Sequence, residues 1–231
     1  MEDPNRDKFP SIWTIFPNLA ERIPQCYNYM YRQANDPSSG GKIYFVGGGN
    51  GIGYTCLDSL IAPDRPEGLN GSLQHHEELL RGYYKKFSID VMGIMSVQYE
   101  SLYDEVVGMV ARLCPKGIGM SKSWGADLTV EQRLLEVEVD GQPTTVPAIE
   151  SKAYVFGDSD ARNFFNRVRQ PLQKPTFTLL RSVLYSPTQL WNVIKEYNDL
   201  NVEFLDPYTF YYLYAQYYGG CGNKVLEVGI A

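Results

Sequence analysis

Four carboxylates lie close behind segments that are predicted to be buried strands, and they are the side chains best suited to acid–base chemistry. They are Asp58, Glu100, Glu150 and Asp158. Cleavage of a glycosidic bond uses two carboxylates, one to protonate the leaving oxygen and one to act as nucleophile or base. On a β/α scaffold such groups come from the carboxyl ends of different strands. We therefore predict Asp58, Glu100 and Asp158 as catalytic residues, with Asp58 the strongest candidate.

Each of these carboxylates also has a structural interpretation. Asp158 precedes a helical pattern and is well placed to cap that helix, as is Asp206 before Pro207. Glu100 fits the first turn of a helix, where the helix dipole favours a negative charge. Glu150 ends a predicted hairpin. The sequence alone leaves catalytic and structural roles open for Asp158 and Glu100, and it predicts a cap for Asp206.

The loop Val46–Tyr54 is the second candidate site. It follows the apolar segment Ile43–Val46 and holds five glycines within seven residues, Gly47–Gly53. Glycine is used where φ must be positive or where a ligand approaches the main chain closely. Ligands of α/β proteins bind beyond the carboxyl ends of parallel strands. Two interpretations compete, namely a cradle for nucleotide phosphates and part of a carbohydrate cleft.

The nucleotide interpretation is the weaker of the two. The segment Gly47–Gly53 is similar to the glycine loop of short-chain dehydrogenases, which would make the chain an NAD(P)-binding oxidoreductase. However, the GxGxxG fingerprint fails in every register, and none of the 18 tyrosines has a lysine four residues on. Pro63 and Pro66 also interrupt the helix that should follow such a loop.

In the carbohydrate interpretation, we predict that substrate contacts are made by Asn50, Gly51, Gly53, Tyr54 and Trp124. Tyr54 and Trp124 would stack on sugar rings, and Asn50 would bond hydroxyl groups. The structural alternatives are that both aromatic residues pack in the interior and that Asn50 adopts a left-handed turn conformation.

Composition excludes several classes of function. The net charge of −6, with scattered Lys and Arg, does not favour nucleic acid, which needs clustered positive charge. No apolar run approaches the roughly 18 residues of a membrane span. Four widely spaced cysteines form no CxxC pair, and His75-His76-Glu77-Glu78 lacks the second ligand of HExxH. We predict no metal site and no cofactor, and we interpret both histidines as surface residues of a helix.

Strand-like and helix-like segments alternate along the chain, which predicts a parallel sheet with helices outside it. Seven core strands favour an α/β fold with a parallel (β/α) barrel-like domain, one strand short of the usual eight, and a doubly wound open sheet is the alternative. A hairpin at about residues 133–149, with a turn at Asp140-Gly141, is predicted to be inserted in this scaffold. The predicted core strands are Ile12–Ile15, Ile43–Val46, Ile89–Val97, Lys116–Met120, Ala153–Phe156, Thr176–Leu180 and Val202–Leu205.

Three patches, Trp13–Ala20, Tyr44–Tyr54 and Asp206–Phe210, occur in an order and spacing that resemble the GxGYxYP family of putative glycoside hydrolases, specifically its C-terminal domain. Gly51, Gly53 and Tyr54 match the motif, whereas Cys56-Leu57 replaces its Tyr-Pro.

The resemblance implies a carbohydrate partner and glycosidic-bond hydrolysis or glycan binding without catalysis. It also implies an extracytoplasmic or secreted protein, and an acidic strand upstream of Trp13 that this chain lacks. We expect residues 1–231 to form one α/β domain of a longer protein, and the sequence leaves its oligomeric state open.

Overall fold

The structure is a computed structural model of the 231-residue chain. It describes residues 2–53, 55–61, 72–95, 104–121, 134–151, 153–169 and 176–221. Eight strands and six α-helices lie in these ranges. The strands are β1 (Ser11–Ile15), β2 (Ile43–Gly47), β3 (Val91–Met95), β4 (Gly117–Ser121), β5 (Leu134–Val139), β6 (Gln142–Ser151), β7 (Ala153–Val155) and β8 (Leu180–Ser182). The helices are α1 (Pro24–Asn35), α2 (Ser72–Phe87), α3 (Asp104–Leu113), α4 (Asp158–Val168), α5 (Pro187–Ile194) and α6 (Pro207–Gln216).

Six strands form the main sheet in the order β1-β2-β3-β4-β6-β5, and β7 and β8 form a separate parallel pair. Strands β1 to β4 and β6 are parallel, whereas β5 pairs antiparallel with β6 at the edge. The five parallel strands lie in chain order, with the antiparallel β5 outside them, and show no reversal of the kind found in a doubly wound sheet. The α/β class and the mostly parallel sheet are therefore confirmed.

Both faces of the main sheet are covered. On one face, alternate strand residues such as Ile94, Ile118 and Ala148 pack against α1, α2 and α3. On the other face, Ile149 and its neighbours pack against Tyr211 and Tyr214 of α6. Such burial on both faces is expected of parallel strands, which need helices on each side. The described strands do not close into a ring, so the barrel form is not confirmed.

A second, smaller core lies between the β7–β8 pair and helices α4 and α5. Val155, Phe165 and Val193 are buried there. Helix α5 begins with the predicted capping box, in which Ser186 and Gln189 bond each other's backbone N–H groups. Asp206 caps α6 as predicted, because its carboxylate accepts from the N–H groups of Tyr208 and Thr209.

Some predicted elements differ from the structure. The hairpin is present, but its return strand is not an insertion: residues Ala148–Ser151 of β6 pair in parallel with β4 inside the core sheet. The alternation of apolar and polar residues over 134–139 predicts a hairpin strand. It carries no information on whether the return strand also pairs with the core sheet. Strand β8 begins only at Leu180, and residues 202–205 form no strand.

Among the described residues, no helix combines the length and apolar character that spanning a membrane would require.

Candidate functional site

The glycine loop lies at the carboxyl ends of β1 and β2, where the sequence places it. These strands pair in parallel with Ile15 opposite Gly47. The N–H of Gly48 donates to the carbonyl of Ile15 at 3.0 Å, so the loop begins as a continuation of the sheet. A turn closed by the Gly51 N–H and the Gly48 carbonyl, at 2.9 Å, then folds the chain back.

Packing from beneath explains most of the glycines. A Cβ at Gly47 would overlap the hydroxyl of Tyr84, and one at Gly49 would overlap the ring of Phe16. Gly51 lies in the same way against Leu80. Only at Gly53, with φ of +126°, is the space for a Cβ open, and there the backbone conformation itself favours glycine. The loop is thus held down on α2 and on the residues after β1.

The buried side chain of Asn50 holds this loop closed through a hydrogen bond. The residue is 3% exposed, and its side-chain amide donates to the carbonyl of Thr55 at 2.7 Å. Its φ of 65° is the left-handed conformation that asparagine tolerates. The structural alternative considered for Asn50 is therefore present. Contact of Asn50 with a sugar stays a prediction.

His76 joins the loop to α2, which corrects its assignment as a surface residue. It is 8% exposed, and its Nε2 lies 3.4 Å from the carbonyl oxygen of Asn50. Burial lowers the pKa of His76, and the hydrogen bond to Asn50 only partly opposes this effect. His75, one residue earlier, is exposed. The signal for burial was the spacing of His76, Leu80 and Tyr84, which are four residues apart on one face of α2 and all buried.

Asp58 follows the loop on an anchored segment. Leu57 is buried, and the Leu60 N–H donates to the Leu57 carbonyl at 3.0 Å across the 3-10 turn Asp58–Leu60. The backbone of Asp58 is therefore held close to the loop, and its side chain lies outside the described part of the structure. A phosphate cradle would need a helix amino terminus directly after the loop. Among the described residues, the glycine loop is followed by this 3-10 turn and not by an α-helix, and the next described α-helix begins at Ser72.

Asp158 lies at the carboxyl end of β7, as the first residue of α4. Gly157 is the N-cap and makes no side-chain cap bond, so Asp158 is not the cap that the sequence suggested. Its carboxylate instead accepts from the hydroxyl of Tyr185 at 2.7 Å and lies 3.6 Å from the guanidinium of Arg162. Of the three predicted catalytic residues, it is the one whose side chain is described.

Tyr185 and Arg162 extend this contact into a network that the sequence did not reveal. Burial has the largest effect in raising the pKa of Tyr185, and the hydrogen bond to Asp158 raises it further. Arg162 also binds Glu196 through two bonds of 2.8 Å, and this pairing raises the pKa of the guanidinium. Asp158 and Arg162 are four residues apart on α4, but Tyr185 and Glu196 come from distant segments, so no local spacing could have predicted the whole network. The network joins α4 to the segments before and after α5.

The other candidates are distributed as follows. Glu100, Tyr54 and Trp124 lie outside the described residues, so their roles stay predictions. Glu150 lies on β6 opposite Met120 of β4. Among the described residues, no three His, Cys, Asp or Glu side chains lie close enough together to hold a metal ion.

The crystal structure of a putative hydrolase from Bacteroides thetaiotaomicron aligns with 92% of the length of this chain, with a TM-score of 0.64. The identity is 17%, so the likeness establishes a shared fold. This chain spans 40% of that protein. Comparison with curated proteins gave no match. The sequence model described as the GxGYxYP putative glycoside hydrolase C-terminal domain matches residues 1–215, and the chain therefore belongs to this family.

Proposed function

We propose that this chain binds carbohydrate beside the loop Gly47–Tyr54 and takes part in hydrolysis of a glycosidic bond. The observation that carries the proposal is the family match over residues 1–215. The position of the loop supports it, because ligands of parallel α/β proteins bind beyond the carboxyl ends of the strands.

The construction of the loop also supports a binding role. Tyr84, Phe16 and Leu80 fill the space beneath it, and Asn50 closes it from inside. A loop that is ordered before the ligand arrives does not pay for ordering on binding, and this preorganisation favours affinity. Gly51 and Gly53 are proposed to bring the backbone close to the sugar, and Asn50, Tyr54 and Trp124 remain proposed contacts.

For catalysis we propose Asp58, with Glu100 and Asp158 as candidates for the second carboxylate. Asp58 comes first because the loop and the anchored 3-10 turn bring its backbone to the proposed cleft. Asp158 already accepts a bond from Tyr185 and pairs with Arg162. This engagement favours a second candidate function, in which the domain binds glycans without cleaving them.

A thermal-shift screen of the chain against oligosaccharides, with NAD and NADP alongside, tests the binding proposal. A ligand at about 100 times its Kd should stabilise the folded state by roughly 2.7 kcal/mol. Stabilisation by a sugar is the expected result. Stabilisation by a dinucleotide alone would contradict the proposal and restore the oxidoreductase alternative.

Release of reducing ends from the stabilising sugar then separates hydrolysis from binding. Asp58→Asn should abolish turnover while the thermal shift persists. Asp140→Asn is the matched control, because Asp140 is an exposed carboxylate in the hairpin turn. Binding by the unmodified chain without any turnover would favour the non-catalytic function, and full turnover in Asp58→Asn would remove Asp58 from the mechanism.

A further inference from the structure

A polar groove of about 490 Å³ lies along α4, and we call it the α4 groove. It is lined by Tyr154, Asp160, Asn163, Asn166 and Arg167. Its size falls within the roughly 300–1,000 Å³ of small-ligand pockets, but its polar lining is unlike their apolar walls. It shares no residue with the loop Gly47–Tyr54 or with the three proposed catalytic carboxylates.

The groups in the α4 groove suit hydroxyl groups better than a charged ligand. Asn163 and Asn166 are exposed and offer amide donors and acceptors. The hydroxyl of Tyr197 donates to the side-chain Oδ1 of Asn166 at 3.1 Å. This bond orients the amide and leaves its NH2 group as the donor. Asp160 and Arg167 carry opposite charges, so the groove has no net charge to attract a phosphate or a uronate.

Tyr154 adds a polar atom that the described residues leave unpaired. Its hydroxyl is enclosed and has no hydrogen-bond partner within the described part of the chain. The guanidinium of Arg181 lies over its ring, 5.9 Å from the centroid. An enclosed hydroxyl without a partner is unfavourable, so a water or a ligand hydroxyl that reached it would be stabilising.

The backbone of an exposed aromatic residue, Phe156, contacts Asp160 of this groove. Phe156 directly follows β7 and is 62% exposed. Its backbone N–H donates to the carboxylate of Asp160 at 3.0 Å, so a groove residue holds the backbone that carries the ring. One face of a pyranose ring presents C–H groups and is apolar, which makes an exposed aromatic ring a natural surface for it.

We propose that the α4 groove is a second glycan-binding site, in which Phe156 stacks on one sugar ring and Asp160, Asn163 and Asn166 bond the hydroxyl groups of a neutral glycan. The choice of carbohydrate as ligand rests on the proposed function. The α4 groove and the glycine loop share no residue, so variants can test each of them without changing the other.

Affinity electrophoresis of the whole chain in native gels tests this site. The gels contain amylose, xylan, mannan or polygalacturonate, and the retardation gives a dissociation constant. Phe156→Ala and Asn163→Ala are made separately, and both change exposed side chains. The matched control is Tyr212→Ala, because Tyr212 is 61% exposed on α6, far along the chain from the groove.

We expect one of the neutral polysaccharides to retard the unmodified chain. Phe156→Ala should weaken that binding by about tenfold, as expected for the loss of one aromatic contact, and Asn163→Ala should weaken it as well. Tyr212→Ala should bind like the unmodified chain. Polysaccharide binding that is unchanged in both groove variants would overturn the proposal, as would binding of polygalacturonate alone.

Turnover distinguishes a failure here from a failure of the proposed function. If Phe156→Ala loses polysaccharide binding but still cleaves short oligosaccharides, both sites stand. If Asp58→Asn abolishes turnover while the groove variants bind normally, the glycine-loop cleft stands and the α4 groove is rejected. If no polysaccharide and no oligosaccharide binds, both proposals are rejected together.

Discussion

The side-chain amide of Asn50 donates to the main-chain carbonyl of Thr55 at 2.7 Å, and this bond closes the glycine loop on itself. Asn50→Asp keeps the size of the side chain but replaces the donor with a carboxylate facing a carbonyl oxygen. Because both groups are then acceptors in a buried place, we expect a loss of about 1–3 kcal/mol in the free energy of unfolding, measured with urea.

Asn50→Gly is the control for the added charge, since glycine adopts the left-handed conformation readily and loses the donor without placing a carboxylate beside the Thr55 carbonyl. It should be less destabilising than Asn50→Asp. If Asn50→Asp were as stable as the unmodified chain, the bond to Thr55 would not hold the loop.

His76 should make stability depend on pH. Burial lowers its folded-state pKa below the ordinary value of 6.5, so the unfolded chain takes up a proton that the folded chain resists. This contribution to stability is complete above about pH 6.5 and is lost as the pH falls from there through the folded-state pKa. Urea unfolding between pH 5 and 8 should show the decline.

His76→Gln should remove that part of the decline, whereas His75→Gln should keep it, because His75 is exposed. Parallel pH profiles for the unmodified chain and His76→Gln would contradict the assignment.

The hydroxyl of Tyr84 is buried against Gly47 and has no hydrogen-bond partner among the described residues. Burial raises the pKa of Tyr84 well above its ordinary value, so the group is neutral at every physiological pH. Tyr84→Phe should raise the free energy of unfolding by about 1 kcal/mol, because it removes a polar group that burial penalises.

The matched control is Tyr27→Phe. Tyr27 is also buried, but its hydroxyl donates to the carbonyl of Phe16, so this variant should be destabilised. Equal losses in both variants, measured by chemical unfolding, would show that Tyr84 has a partner after all.

Leu184 is fully exposed and has a φ of 54°, just beyond the end of β8. A left-handed conformation costs an ordinary L-residue roughly 1–2 kcal/mol, and asparagine tolerates it better. Leu184→Asn should therefore raise the free energy of unfolding by about 0.5–1 kcal/mol and raise Tm.

Leu79→Asn is the comparison, because Leu79 is an exposed residue within helix α2. It should not gain stability. A gain at both positions would point to removal of exposed apolar surface rather than relief of backbone strain.

The sequence by itself determined several of the local elements and the family. The capping box of Ser186 and Gln189, the cap at Asp206 and the periodic pattern of α2 each lie within a few residues. Helix caps and hydrophobic periodicity act over such distances, so they can be recognised without the fold. The three ordered patches likewise predicted the family that the comparison then established over residues 1–215.

Only the tertiary structure decided how these elements meet. The return strand of the hairpin enters the core sheet because it packs on both faces of that sheet. Ala148 contributes to the core on one face, and Ile149 contributes to the core on the other. His76 is buried by a loop 26 residues earlier, and Asp158 is bonded by Tyr185, 27 residues later. These contacts depend on side chains that the fold brings together. The spacing in α2 marks the buried face that holds His76, but no local pattern shows which loop that face meets. The glycine loop needed both kinds of information. Its composition marked the candidate site in the sequence, and its packing on Tyr84 and Phe16 in the structure explains why glycines occur there.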